Sequence, residues 1–77
     1  MKSALIVDDH PVIRSMIKFV LRELGFKRIH EATRGDEVLS MFREHRPDVL
    51  LLDLGLPGLN GLDVLDRIKS EKTRCRV

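Results

Sequence analysis

The sequence has 77 residues, of which 14 are Lys or Arg and 12 are Asp or Glu, so its formal charge is only +2. This length is enough for one small domain over residues 1–77, and the interspersed charges argue against a surface that binds nucleic acid or a membrane. A single cysteine, Cys75, excludes an internal disulfide, and strand-like sequence begins directly after Met1 without a leader, so we expect a cytoplasmic protein.

The first strand and the first helix are predicted near the amino terminus. Ser3 to Val7 is an apolar run that ends in Asp8-Asp9, and Pro11 suits the first turn of a following helix. From Val12 to Leu24 apolar residues recur every three or four positions, and Gly25 closes the pattern as a C-terminal cap would. We interpret this apolar stripe as core packing, and its main residues are Ile13, Met16, Ile17 and Val20.

Two more strands and two more helices are predicted after Gly25. Lys27 to Ala32 is weakly strand-like, and Asp36 to Arg46 has an apolar face with acidic residues in its first turn, as the helix dipole favours. Val49 to Leu52, between Pro47 and a Gly/Pro/Asn cluster, is a short apolar run without alternation, which indicates a strand buried on both faces. A third helix is predicted from Asn60 or Gly61 to about Glu71.

This alternation of strands and helices predicts an α/β fold. Helices between strands of this spacing favour right-handed crossovers and a parallel sheet covered on both faces. We expect the flavodoxin-like strand order 2-1-3, in which the first and third strands are neighbours about 4.8 Å apart. Both strands would then end at one edge of the sheet, where Asp8, Asp9 and Asp53 would surround one small space.

Three carboxylates in one place predict a site for a divalent cation. Two carboxylates about 4 Å apart repel by roughly 4 kcal/mol at an effective dielectric constant of about 20, so a counter-charge is needed. Mg²⁺ suits Asp8, Asp9 and Asp53, with the backbone carbonyl of Gly55 able to complete the octahedron. With the cation in place a carboxylate can attack phosphorus, and we expect Asp53 to be that nucleophile because it stands alone after the most buried strand.

Less specific interpretations of these residues stay open. Strand-end aspartates often cap a helix or stabilise a turn, and each of the three taken singly fits that role. The glycines at 55, 58 and 61 suggest a nucleotide-binding loop, but Pro57 occupies the second glycine position and no Gly-Lys-Ser/Thr follows. His10 could ligate a transition metal, although we expect it to lie exposed at the helix start, and His30 and His45 have no partners at ligand spacing.

Two segments resemble a known family. The segments are Asp8 to Arg14 (Asp-Asp-His-Pro-Val-Ile-Arg) and Leu52 to Leu62 (Leu-Asp-Leu-Gly-Leu-Pro-Gly-Leu-Asn-Gly-Leu). Both closely resemble the receiver domain of bacterial two-component response regulators, and the resemblance extends over essentially the whole chain. With Glu31 to Gly35, they are most similar to receivers of the NarL/FixJ type, which usually precede a DNA-binding helix-turn-helix domain. The resemblance implies that Asp53 accepts a phosphoryl group from a sensor histidine kinase, with Mg²⁺ held by Asp8, Asp9, Asp53 and the Gly55 carbonyl.

The sequence also departs from the family pattern. A complete receiver has a fourth strand ending in Ser or Thr and a fifth ending in Lys, whereas this sequence ends at Val77, about where the fourth strand would begin. We therefore expect Val49 to Leu52 to be an open edge. Either the chain forms a homodimer by strand pairing or element exchange, or it is part of a longer protein. We expect contact with nucleic acid only through a C-terminal domain outside this sequence. Phosphorylation of the receiver domain would then act as a transcriptional switch.

Two alternative functions are weighed against the phosphoacceptor. One is an interaction module that keeps the receiver fold without phosphorylation. The other is a phosphotransferase of the haloacid dehalogenase type, which also uses an aspartate nucleophile with Mg²⁺. That family needs Asp-x-Asp after a strand, and Asp53-Leu54-Gly55 lacks the second aspartate. We therefore expect a signalling domain and not an enzyme.

Overall fold

The computed structural model describes residues 2–53, 55–56 and 61–70. Predictions that concern Pro57, Asn60, Glu71 and Cys75 lie outside these residues. The elements are β1 (Ser3–Val7), α1 (Pro11–Glu23), β2 (Arg28–Ala32), a 3-10 helix (Gly35–Glu37), α2 (Val38–His45), β3 (Val49–Leu52) and α3 (Gly61–Ser70). No helix within the described residues has the length and apolar character that crossing a membrane requires.

The three strands form a parallel sheet in the order β2-β1-β3, which confirms the predicted topology. Val7, the last residue of β1, is level with Ala32 of β2 and with Leu52 of β3. All three strands therefore end at the same edge of the sheet. The residues that follow β1 and β3 are brought together at that edge, although they are far apart in the sequence.

Side chains of β1 alternate between the two faces of the sheet, and both faces are covered. Leu5 and Val7 pack in a core cluster with Phe42 of α2 and Ile68 of α3. Ala4 and Ile6 point to the other face, where Leu21 is the buried residue of α1. Each buried aliphatic side chain contributes about 1.5–3 kcal/mol, so β1 is the most strongly held element of the sheet.

Helix α1 contacts the sheet over a narrower strip than its sequence predicts. Met16 and Val20 were expected in the core, but 61% and 54% of their surfaces are exposed, and Ile13 is exposed as well. Ile17 is partly buried and Leu21 is buried. The interpretation of the whole stripe as core packing is therefore wrong for the described residues, because the contact on this face involves little more than one line of the helix.

The second predicted helix divides into two parts. Residues Gly35–Glu37 form a 3-10 helix, and the α-helix begins only at Val38. Arg46, which the sequence assigned to the helix, has a left-handed backbone with φ of 46°. Proline at position 47 disfavours helical backbone at the preceding residue, which explains why α2 ends at His45.

The turn after α1 forms as the sequence predicts. The helix ends at Glu23, and Gly25 adopts a φ of 94°, a backbone conformation that favours glycine. The amide of Gly25 donates to the carbonyl of Arg22 at 3.0 Å, and that of Phe26 donates to Leu21 at 2.9 Å. These bonds satisfy carbonyls that the end of the helix would otherwise leave free.

Candidate metal centre

The acidic residues that follow β1 and β3 meet at the carboxyl edge of the sheet. Backbone hydrogen bonding continues one residue beyond β1 and β3. The amide of Asp53 donates to the carbonyl of Val7 at 3.0 Å, and the amide of Asp8 donates to the carbonyl of Ala32 at 3.1 Å. Asp8, Asp9, His10 and Asp53 each offer one ligand atom, and these four atoms all lie within 4.8 Å of one another. The structure therefore brings the three predicted aspartates into one cluster, which also contains His10.

Asp8 is held in place by the turn that follows it. Its Oδ1 atom accepts a hydrogen bond of 2.7 Å from the backbone amide of His10. That bond is the main reason why the pKa of Asp8 is lowered, although partial burial acts in the opposite direction. Asp8 therefore stays ionised. It stabilises the turn, as considered for a strand-end aspartate, and it also belongs to the acidic cluster.

Asp53 has one oxygen engaged by the backbone and one facing the cluster. Its Oδ1 accepts a hydrogen bond of 2.8 Å from the amide of Gly55, and its Oδ2 lies 4.0 Å from Nδ1 of His10. The side chain is 29% exposed, compared with 13% for Asp8 and 43% for Asp9. Asp53 is thus fixed in orientation but still accessible from solvent.

Gly55 contacts the site through its amide in this structure. The prediction that its carbonyl is a metal ligand stays a prediction, since the bond to Asp53 involves only the N–H group. A β-carbon at position 55 would lie 3.3 Å from Oδ1 of Asp53, which is closer than ordinary contact. Glycine therefore lets the loop approach the carboxylate closely enough to orient it.

His10 was expected to be exposed at the start of a helix, and its place in the acidic cluster was not predicted. It is the N-cap residue of α1 and is 64% exposed, in agreement with the expectation. Its Nδ1 nevertheless lies 2.8 Å from Oδ1 of Asp8 and 3.0 Å from Oδ1 of Asp9. The hydrogen bond with Asp8 and the negative charges of the aspartates raise the pKa of His10. The available sequence signal was its position directly after two aspartates.

A small ionic network connects the acidic turn to the rest of the fold. Arg14 donates to the backbone carbonyl of Asp8 at 2.9 Å and to the carboxylate of Glu31 at 3.1 Å. Lys18 binds the other oxygen of Glu31 at 3.1 Å. Partial burial raises the pKa of Glu31, but the hydrogen bonds from Lys18 and Arg14 outweigh it, so the pKa is lowered. Arg14 therefore ties the turn between β1 and α1 to β2.

The donor set fits a hard divalent cation. Three carboxylates supply the oxygen ligands and negative charge that Mg²⁺ requires, and they leave room for water or phosphate oxygens. Within residues 2–53, 55–56 and 61–70 this is the one group of three or more potential metal-binding side chains that lie close enough to share an ion. A dication held by these carboxylates would neutralise the charge of an anionic group, such as a phosphoryl group, at this edge of the sheet.

Fold and site together define a parallel α/β domain with an acidic cluster at the carboxyl edge of its sheet. Residues 4–77 match the family model described as "Response regulator receiver domain". The chain belongs to this family, whose members are signalling domains of two-component systems, as the sequence indicated.

Relatives of the chain differ in what they are named for. The chain is 42% identical over 69 residues to "Probable transcriptional regulatory protein TcrX" of Mycobacterium tuberculosis, covering 90% of the chain and 29% of the relative. It is 36% identical over 73 residues to chemotaxis protein CheY of Bacillus subtilis, covering 95% of the chain and 61% of CheY. The chain therefore spans less than two thirds of the length of these relatives.

A solved structure agrees with the fold. The chain superimposes with a TM-score of 0.80 on a chain in the crystal structure of histidine kinase ThkA in complex with response regulator protein TrrA. The sequence identity is 40%, and the match covers 94% of this chain and 61% of the other. The predicted flavodoxin-like fold is thus confirmed by its sheet order and by this neighbour.

Proposed function

We propose that Asp53 accepts a phosphoryl group from a sensor histidine kinase in a reaction that requires Mg²⁺. The observation that carries this proposal is the meeting of Asp53 with Asp8 and Asp9 at one edge of the sheet. Asp8, Asp9, Asp53 and the carbonyl of Gly55 would hold the ion. The complex of ThkA with TrrA supports a kinase as partner, since this chain resembles that structure.

The geometry favours Asp53 over its neighbours as the nucleophile. Oδ1 of Asp8 accepts a hydrogen bond from the backbone amide of His10 and lies beside the His10 ring. The side chain of Asp8 is the least exposed of the three aspartates. Oδ2 of Asp53 faces the shared space, while Oδ1 is held by Gly55. A fixed but accessible oxygen is what attack on phosphorus needs.

The transfer itself breaks one bond and forms one. Oδ2 of Asp53 attacks the phosphorus of a phosphohistidine, the P–N bond to the kinase breaks, and the imidazole leaves with the electron pair. Bound Mg²⁺ would neutralise the phosphoryl oxygens as charge develops on them. The turn bonds of Asp8 keep that residue ionised, so it can hold the ion throughout the reaction.

We infer that phosphorylation shifts a conformational equilibrium that an output region reads. TcrX is named for transcriptional regulation and CheY for chemotaxis, so the names of these relatives refer to two different processes. The resemblance of Asp8 to Arg14 to the NarL/FixJ type favours a transcriptional output. DNA would then be contacted through a domain outside this sequence, in the cytoplasm.

The test is phosphorylation by acetyl phosphate with Mg²⁺, followed by intact mass measurement. We expect the wild-type protein to gain one phosphoryl group and Asp53→Asn to gain none. Asp48→Asn is the matched control, because Asp48 lies just before β3 as Asp53 lies just after it. Phosphorylation of Asp53→Asn would refute the assignment. Turnover of phosphate esters would support the dehalogenase-type alternative, and no reaction at all would support the interaction module.

We also propose that the free edge of β3 pairs with a second copy of the 77-residue protein. Within the described residues β3 pairs with β1 only, so its other side offers unpaired backbone groups beside the half-buried Leu51. Light scattering over a range of concentrations should show a dimer. A monomer at all concentrations, with unfolding still cooperative, would contradict this proposal.

A further inference from the structure

The amino edge of the sheet, opposite the acidic cluster, has a second polar cleft. Ser3 and Arg28 are the first residues of β1 and β2 and lie level with each other. Together with residues at the end of α2 they line a cavity of about 600 Å³, which we call the amino-edge cleft. Small-molecule sites have volumes of this order. The residues that line the cleft include no member of the acidic cluster, so the proposed function makes no use of it.

Two arginines of the amino-edge cleft have no carboxylate partner. Arg28 at the start of β2 and Arg46 directly after α2 both line the cavity and are exposed. In the part of the chain that the structure describes, neither guanidinium group forms an ion pair or a side-chain hydrogen bond. Each guanidinium group has five N–H donors, which are therefore left to solvent or to a ligand.

The backbone of Arg46 supports a role for its side chain. Its φ of 46° lies in the left-handed region, and among the described residues it is the one non-glycine residue with a positive φ. At the corresponding place after α1 the chain has Gly25, which adopts such a backbone without strain. The chain instead accepts strain after α2 and gains a guanidinium group in the cleft.

The carboxylates of the cleft already have partners. Oδ2 of Asp48 accepts hydrogen bonds from the amide of Ser3 at 2.8 Å and from its hydroxyl at 3.4 Å. Oε2 of Glu44 lies 3.8 Å from Nε2 of His45. These two negative charges balance the two arginines, so protonation of either His30 or His45 gives the cleft a net positive charge. An anion in the cleft would supply the counter-charge.

We propose that the amino-edge cleft binds a small tetrahedral dianion of the phosphate class, through the guanidinium groups of Arg28 and Arg46 and the protonated rings of His30 and His45. The planar fork of N–H donors in arginine matches the oxygens of such an anion, which has acceptors enough for two arginines. The two imidazole rings stack in the same cleft, so one anion can lie near both. No covalent bond to the anion forms, and binding is coupled to the uptake of a proton by an imidazole.

The charges in the cleft give this binding a definite pH dependence. Burial and the charges of His45 and Arg28 lower the pKa of His30 in the free protein. The charged groups that face His30 in the cleft are those of His45, Arg28, Glu44, Arg46 and Asp48. A bound dianion acts on His30 in the same direction as Glu44, so it should raise the pKa. By linkage, the dianion binds more tightly where the imidazole is protonated.

Nuclear magnetic resonance titration of the ¹⁵N-labelled 77-residue protein with sulfate tests the site. Sulfate is the probe because it stays a dianion as the imidazoles titrate, and EDTA keeps the acidic cluster free of metal. At constant ionic strength we expect saturable shifts at the residues that line the cleft, with affinity at least about threefold higher at about pH 6 than at about pH 8. Inorganic phosphate should bind at the same residues.

Arginine variants test the assignment of the ligands. Arg28→Gln and Arg46→Gln should each lower sulfate affinity by about fivefold or more, because each removes charge-assisted hydrogen bonds to the anion. Arg22→Gln is the matched control, since Arg22 lies in the last turn of α1, does not line the cleft, and loses the same charge. The pKa of His30, followed through its ring nitrogens, should rise when sulfate saturates the wild type.

Shifts that grow linearly without saturation, or that spread over the whole surface, would overturn the proposal. An affinity of Arg28→Gln and Arg46→Gln equal to that of the wild type would do the same. An equal loss in Arg22→Gln would also count against it, because the effect would then come from net charge alone. Phosphorylation of Asp53 is measured separately with Mg²⁺ present, so failure of this inference leaves the proposed function standing.

Discussion

The rings of His30 and His45 stack face to face, with their centroids 3.6 Å apart and their planes at 15°. His30 lies in β2 and His45 is the last residue of α2, so the stack connects the sheet to the helix that covers it. The sequence offered no partner for either histidine at ligand spacing. The fold supplies one, because His30 is level with Leu5 of β1, on the face of the sheet that α2 covers.

The stack predicts that protonation of His30 destabilises the fold. Burial is the main cause of its lowered pKa, and the charges of His45 and Arg28 act in the same direction, while Glu44 opposes them. The cleft around the pair also contains Arg46 and Asp48. Because the folded state prefers neutral His30, its contribution to stability is fully present above the unfolded pKa of about 6.5 and is lost as the pH falls through the lower folded pKa.

Urea unfolding between about pH 8 and pH 5 measures this effect. His30→Gln should lose less stability on acidification than the wild type does. His10 contributes with the opposite sign, because its raised pKa gives stability that is present below about pH 6.5 and lost as the pH rises through the folded pKa. The comparison is therefore also made in a His10→Ala background. Equal pH dependence of His30→Gln and its parent in both backgrounds would contradict the prediction.

The arrangement of strands followed from the sequence, whereas the surroundings of the site did not. The apolar run Val49–Leu52 and the Asp8-Asp9 pair were enough to place three carboxylates at one edge, because parallel strands share that edge. The approach of His10 depends on the rotation of one ring at a helix start. The stack of His30 on His45 depends on how α2 packs. Contacts of these kinds are set by tertiary packing, which local sequence patterns do not encode.

Arg14 is expected to act as a positioning residue for the metal. Arg14→Ala removes the bond to the carbonyl of Asp8 and the ion pair with Glu31, and loss of such support should weaken Mg²⁺ binding by about tenfold. Lys18→Ala removes a partner of Glu31 but no contact with Asp8. Calorimetry with Mg²⁺ should therefore separate the two variants. If both weaken binding equally, the effect comes from Glu31 and the positioning role of Arg14 is refuted.

Gly55→Ala should impair phosphorylation more than stability. The added β-carbon would lie 3.3 Å from Oδ1 of Asp53, so the carboxylate must shift by a few tenths of an ångström. We expect a phosphorylation rate lowered by about tenfold or more, since small misplacements of a reacting group are costly. The measurement is the time course of the mass gain with acetyl phosphate.

Gly25→Ala provides the opposite result and serves as the control. A β-carbon there meets nothing within 4 Å, but the φ of 94° is strained for alanine. It should cost about 1 kcal/mol of stability and leave the phosphorylation rate unchanged. A slower reaction in Gly25→Ala, or a normal one in Gly55→Ala, would show that the spacing at Asp53 is not what limits the rate.

Two phenylalanines on different helices should respond very differently to truncation. Phe42 of α2 is fully buried in the cluster with Leu5 and Leu50, so Phe42→Ala should cost about 3–5 kcal/mol. Phe19 of α1 is 66% exposed, and Phe19→Ala should change stability by less than about 0.5 kcal/mol. Thermal unfolding followed by circular dichroism measures both. A large loss in Phe19→Ala would show that the exposed side of α1 is covered in solution, for example by a second copy of the protein.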